Sequence, residues 1–471
     1  MSLANDVSIV KNKKINMNIK DSLKTFKFLN ITPLIIVASF SILSIQNDLR
    51  LSIPLLIGLT AFIVILLAFI TFYGETRQIK WSSTFIILVA LLIRLLFVFR
   101  QPELSDDIFR YLWDGMQLLN GNNPYSIPPD SVIVINKNLV NIKIKINHPQ
   151  LITIYPPAAQ ILFVIGVLFS KTIIGIKLLL VIFDILTCFI IIKILKIFDI
   201  PTWKSVIYAW NPLPVLEIAG SGHIDAATLF FLSVTILILC SKSNIKEIDN
   251  LKIFAAGITF GCSFLVKLMP VIFLPLFIIV LNKKGRLFFI SGFVFIIMFL
   301  SYLFYPELFN MFKTLAIYIK NWEFSNYAFR FLKKSFSSGN IARLILFSLF
   351  FILNITLTLH LKRNISKFYF IKTTYLIAFI FLLLNPTLHP WYILYLVVFL
   401  PLYTKPEGIV FGWVIFLSYY VQIEYFLNRN WTEDDLISAI IWFSPILSLL
   451  ISRLIYFIKP FSSHSLTKYN P

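Results

Sequence analysis

From residue 29 to residue 458 the chain alternates apolar runs with short polar breaks, and the runs set the architecture. Candidate membrane spans fall at approximately 29–46, 51–73, 81–99, 172–192, 204–220, 224–241, 251–267, 270–282, 287–305, 341–361, 370–385, 391–403, 408–427 and 437–458. Several are shorter than the ~20 residues an upright helix needs to cross a bilayer, so tilted or broken helices are expected. The pattern predicts an all-α polytopic membrane protein with about 13–15 transmembrane segments. These occupy residues 29–458, between a basic tail at 1–28 and a second tail at 459–471.

The first long polar interruption runs from Ser105 to Pro129. Read as a helix, residues 107–119 sort by face: Asp107, Arg110, Asp114 and Gln117 share an arc of about 80°, opposite Ile108, Phe109, Leu112, Met116 and Leu119. Ser105 is a suitable N-cap, and Gly121 followed by Asn-Pro ends the helix. The expectation is an amphipathic helix lying along the membrane surface, inside a first large loop spanning 100–156.

Basic residues orient the spans, because Lys and Arg are retained on the cytoplasmic side. Six lysines between Lys11 and Lys27 place the N-terminus inside, and Arg77 with Lys80 returns the chain there, so 100–156 faces outward. If 157–170 crossed completely, the clusters Lys242–Lys252 and Lys283–Arg286 would lie outside. If that short segment dips in and turns back, they fall inside, with Lys193–Lys204, Lys362–Lys367 and Lys459. The second solution also gathers the 100–156 loop, Gly220–Asp225, Lys267, the 306–340 loop, Asn385–Pro390 and the 428–436 loop on the outer face.

Composition agrees with this picture. The 471 residues are 58% hydrophobic and 14% charged, with mean hydropathy +0.84, too apolar for a soluble domain of this length. The formal charge of +20 is explained by cytoplasmic loops, without a nucleic-acid partner. Cys188, Cys240 and Cys262 all sit inside apolar runs, with no ligand-like spacing. No cleavage pattern precedes the first apolar run, which reads as a retained helix.

Several residues stand out as chemistry on the outer face. Asp106 and Asp107 at a helix start suit a divalent cation such as Mg or Mn, or a general base, without requiring a metal. Asp114 is placed to pair with Arg110 at i,i+4. Glu217 lies in an apolar run, where an ionisable group is costly. Gly220 and Gly222 would let the backbone approach a ligand, with His223 and Asp225 beside them. Lys267 either snorkels to the interface or neutralises a phosphate. Arg330, Lys333 and Lys334 follow the aromatic Trp322–Tyr327 stretch, and His389 begins another corner with Trp391 and Tyr392.

In order, the chain reads Asp-Asp-x-x-Arg-Tyr-x-Trp-Asp-Gly from Asp106, then Asn123-Pro-Tyr125, Asn147-His-Pro149, Ile154-Tyr-Pro-Pro-Ala158, Asn211-Pro, Gly222-His-x-Asp225, Lys267-x-x-Pro270 and His389-Pro-Trp-Tyr392. From about residue 81 to 427 this resembles bacterial GT-C membrane glycosyltransferases, particularly polyprenyl-phosphate-mannose-dependent mannosyltransferases. The resemblance implies a bacterial inner-membrane enzyme whose first large extracytoplasmic loop carries the catalytic acid. Such an enzyme transfers a hexose, with mannose favoured, from a polyprenyl-phosphate sugar to a hydroxyl of a glycan, lipid or protein, typically with inversion. Carried over, Asp106 or Asp107 is that acidic residue. Arg110, His223, Lys267 and Arg330 are the candidates to stabilise the departing phosphate. Tyr111, Trp113, Asp114, Asn123, Tyr125, His148, Tyr155, Glu217, Asp225 and His389 complete the candidate substrate-binding set. A lipid-linked glycan polymerase or ligase would use the same face and substrates, although the early Asp-Asp helix does not suit it. A polyprenyl-lipid flippase should show inverted repeats, which the sequence lacks.

Overall fold

A computed structural model of the chain describes residues 19–77, 79–363 and 365–458. Of the tails expected at 1–28 and 459–471, residues 1–18 and 459–471 lie outside the described residues, and 19–28 form the start of a helix. The fold is all-helical, with no strand among the described residues. Its principal helices are α1 (Ile19–Ser44), α2 (Ile53–Arg77), α3 (Ser83–Val98), α4 (Asp107–Leu119), α5 (Pro157–Phe169), α6 (Ile173–Ile197), α7 (Asp225–Leu239) and α8 (Asn250–Val266). They continue with α9 (Lys283–Tyr302), α10 (Asn310–Asn321), α11 (Tyr327–Phe336), α12 (Gly339–Arg363), α13 (Lys367–Leu384) and α14 (Asp435–Ile458).

Seven helices are long and apolar enough to cross a membrane, and six shorter apolar helices accompany them. The polar breaks supply the caps that start several helices. Ser82 accepts from Phe85 N–H at 3.1 Å, Asp249 from Leu251 N–H at 2.9 Å and Asn282 from Gly285 N–H at 2.7 Å. Each satisfies a donor that has no partner within the helix. The apolar run expected at 204–220 is broken. It begins as a 3-10 turn at Thr202–Ser205 and ends as a π-helix at Val215–Gly220. Prolines at 212 and 214 lack the N–H groups that a continuous helix would use.

α5 does not cross the bundle. At 13 residues it is about 20 Å long, and it lies against α4, with Phe163 stacked on Tyr111 at 4.6 Å. α6 then starts where α3 ends: the Lys177 ammonium donates to the carbonyls of Phe97 at 3.2 Å and Arg100 at 2.7 Å. The chain therefore leaves α3 and enters α6 at the same end of the bundle.

Contacts sort the connections into two ends. At one end Leu49 N–H bonds Glu103, Asn123 bonds Glu307, Asn310 bonds the Tyr125 carbonyl and Lys267 bonds Asp225. Phe324 pairs there with the Pro386–Leu388 backbone. At the other end Trp203 packs beside Gly74, Asn282 bonds the Lys246 carbonyl and Lys367 reaches the Ile197 carbonyl. The basic clusters sit at this second end, and the unusual polar residues at the first.

Candidate active site

The site begins at the start of α4. Asp106, rather than Ser105, occupies the N-cap position, and it makes no side-chain capping bond. The Ser105 hydroxyl instead accepts from Asp107 N–H at 3.4 Å. The polar face of α4 is not turned to water. Arg110, Asp114 and Gln117 are buried, because α5 and the end of the first loop cover them. Arg110 Nε donates to Asp114 at 2.8 Å, Arg110 also donates to the Leu151 carbonyl at 2.9 Å, and Gln160 donates to Asp114 at 3.2 Å. The i,i+4 pair thus forms inside the protein, which leaves the amphipathic helix sandwiched instead of floating on a lipid surface.

At this helix start the two aspartates part company. Asp106 is exposed, within hydrogen-bonding reach of Asn147. Asp107 points inward, its side chain 29% exposed, with Oδ2 3.7 Å from His223 Nδ1. Burial, and then the charge on Asp106, push the Asp107 carboxyl up to about 7, while Lys267 opposes them. Tyr155 hydrogen-bonds to the Asp107 carboxyl and packs edge-on against Tyr111 at 4.9 Å.

His223 is delivered by the broken helix. After the π-helix, His223 N–H bonds the Glu217 carbonyl at 3.0 Å. Gly222 has φ +82°, and a side chain there would run into Ile108. Only glycine permits both that backbone and that contact, so the turn rests directly on the first turn of α4. The close approach that glycine permits here is to a side chain of α4. Gly220 is uncrowded.

Behind His223 lies Glu217, fully buried. One of its oxygens accepts from the Tyr419 hydroxyl at 2.7 Å, and the other is 3.5 Å from His223 Nε2. Both His223 nitrogens lack a close hydrogen-bond partner. Asp107, His223 and Glu217 therefore form a row of titratable groups with its outer end open.

Lys267 does not snorkel away. Its ammonium makes two bonds, at 2.9 and 2.8 Å, to the buried Asp225 carboxylate, and it sits 4.9 Å from the Tyr392 ring. Tyr392 shares a 2.7 Å hydroxyl bond with Tyr318 of α10. Trp391 stacks on His223 at 3.9 Å and on His389 at 4.3 Å. One acid, one imidazole and one ammonium thus meet beside an aromatic wall, a set able to exchange a proton and to balance a negative charge.

Other anticipated residues serve elsewhere. Arg330 is bound to Glu433 at 3.4 Å and Asp435 at 2.7 Å, and makes no contact with Asp107 or His223. His148 lies edge-on to Trp322 at 4.7 Å, at the periphery. Trp113 is buried in the packing of α4. Asn123 folds a local turn by accepting from Tyr125 N–H at 3.1 Å, and the Tyr125 hydroxyl donates to the Tyr155 carbonyl at 2.6 Å. Tyr318 and Tyr419 were not singled out from the sequence. Both sit among apolar and aromatic neighbours that give no local signal.

Among the described residues no group of three or more His, Cys, Asp or Glu side chains is arranged to hold a metal. Asp106 turns to Asn147 and Asp107 to His223, so the adjacent carboxylates do not fit a shared cation.

Compared with known families, residues 31–283 match the family described as alpha-(1->6)-mannopyranosyltransferase, N-terminal domain. That stretch carries Asp107, Glu217, His223, Asp225 and Lys267, and ends before Tyr318, Trp391 and Tyr419. No curated protein and no solved structure matches.

Proposed function

The chain belongs to the alpha-(1->6)-mannopyranosyltransferase family, and on that premise we propose that this integral-membrane mannosyltransferase draws its sugar from a polyprenyl-phosphate donor. The acceptor is a glycan hydroxyl at the extracytoplasmic face, and the new linkage is α-(1→6). The observation that carries the reading is the Asp107 carboxylate set against His223, beside Lys267, within a wall of Trp391, His389 and Tyr392.

In this reading Asp107 is the general base. The acceptor oxygen forms a bond to the anomeric carbon, its proton passes to Asp107, and the bond from the anomeric carbon to the phosphate oxygen breaks with its electron pair. Attack from the face opposite the phosphate inverts the centre. A carboxyl pushed up to about 7 suits the task, because proton transfer is most effective when the base is matched to the working pH. His223 lies at the inner side of Asp107, with Glu217 behind it. Lys267, steadied by Asp225, meets the charge that develops on the departing phosphate. Trp391 and His389, held in the stack that runs from Phe324 to His223, wall the side of the site.

The test is a panel of labelled polyprenyl-phosphate sugars given to the purified protein with an α-mannoside acceptor. The expected result is transfer from the mannosyl donor, in a product cleaved by an α-(1→6)-specific mannosidase. Transfer from a nucleotide sugar alone, or none from the mannosyl lipid, would refute the proposal.

A further inference from the structure

A polar cavity opens near the active site. It has a volume of about 200 Å³ and lies between the segment around Ser418 and the loop that carries Thr432, Glu433 and Asp434. The space far exceeds the ~10–15 Å³ that admits one water and is on the scale of a single pyranose ring.

Its walls are already braced, which separates their structural bonds from what they can offer a ligand. Glu433 Oε2 accepts from Ser325 N–H at 2.7 Å and from Arg330 at 3.4 Å. Asp434 Oδ1 caps α14 through Leu436 N–H at 2.7 Å. Glu424 Oε1 accepts from Asn428 at 2.9 Å. Each carboxylate spends one oxygen in this way and keeps a second as an acceptor. Ser418 lines the cavity and is only 4% exposed, and its buried hydroxyl has no partner, a costly state for a polar group. Leu417, Val421 and Ile437 add apolar wall, with Tyr420 49% exposed beside them and Trp431, 46% exposed, preceding Thr432.

Paired acceptors beside apolar and aromatic surface complement a sugar, which carries hydroxyl donors on its edge and C–H groups on its face. A metal ion is the poorer match, since no metal-competent group occurs among the described residues. The cavity is also joined to the active site. Ser325 follows Phe324, whose ring stacks on His389 at 4.8 Å. His389 continues the stack through Trp391 to His223.

We propose that this cavity is an acceptor subsite, holding a neutral sugar residue of the acceptor glycan further along the chain than the one that receives mannose. The proposal rests on the mannosyl-transfer reading and adds to it: the acceptor is an oligosaccharide, gripped at two places along the outer surface.

The test is titration of the purified full-length protein with α-(1→6)-linked mannotriose, by calorimetry. Binding to the unaltered protein is expected, weakened at least tenfold by Ser418→Leu, which fills the cavity, and by the nearly isosteric Glu433→Gln. Melting curves confirm that each variant folds. No binding by the unaltered protein, equal affinity in folded variants, or a response to calcium alone would each overturn the subsite. The two proposals fail separately. Mannosyl transfer with equal affinities would remove the subsite alone, whereas weakened trisaccharide binding without any transfer from polyprenyl-phosphate mannose would support the subsite and remove the donor assignment.

Discussion

The ionisation of Asp107 sets the pH behaviour expected of the enzyme. Its carboxyl is pushed up to about 7, and the base form is the ionised one. kcat/KM should therefore rise with pH through about 7 and then level off. The same shift acts on stability with the opposite slope. In the unfolded chain the group loses its proton near 3.8, so its contribution to folding falls as pH rises from there through about 7. A pH–rate profile flat from 5 to 8 would contradict the assignment. Lys267→Met should lower kcat by about 10²–10³, the scale of losing one charge-stabilising donor, measured under saturating donor. Sequence alone singled out the Asp106–Asp107 pair but left the two residues equivalent, because they share one helix start. Only the turn of His223 against α4 tells them apart. Among the four cations proposed for the phosphate, Arg110 had a visible partner in Asp114. Arg330 had none nearby in sequence, since Glu433 is far along the chain.

The broken helix at 202–220 and the turn after it are the elements that build the site. Gly222 is required both by its φ of +82° and by Ile108. Gly222→Ala should cost about 1–3 kcal/mol, lowering the melting temperature and separating His223 from Asp107, which would appear as lost transfer activity. A second bond set fixes the same element from within the bundle. Arg94 of α3 pairs with Asp184 of α6 at 2.5 Å and donates to the Ala209 carbonyl at 2.7 Å, just before the break. Tyr208 donates to the same Asp184 carboxylate at 2.7 Å. Removing one partner of a buried ion pair leaves an uncompensated charge. Arg94→Ala should therefore destabilise by about 3–5 kcal/mol, read as a fall in melting temperature in detergent. This pair was open to sequence reasoning, because a charged residue inside an apolar run is unusual. The inward turn of the polar face of α4 was not. Amphipathic spacing gives two faces, and it is the covering by α5 that decides which of them meets water.

At the scale of the whole molecule, the division into a polar end and a basic end is the feature most legible from sequence. Apolar runs and lysine placement carry it, and α5, at 13 residues, is as short as the parity argument requires. If the basic end is cytoplasmic, a cysteine at Asn138 should react with an impermeant thiol reagent in intact cells, and one at Ser243 only after permeabilisation. The native cysteines are buried or half-buried, which keeps the background low. Reversed labelling would invert the orientation. The convergence of the 306–340 loop, the 385–390 segment and the first loop is legible from sequence only as a shared face, because contacts such as Asn310 with Tyr125 join residues 185 positions apart. The most direct test of the account is transfer of labelled mannose from its polyprenyl phosphate by matched, folded variants at either aspartate. Asp107→Asn should lose at least about 10²-fold in rate, the contribution of a general base, whereas Asp106→Asn should stay within about tenfold of the unaltered enzyme. Full activity in Asp107→Asn would contradict it.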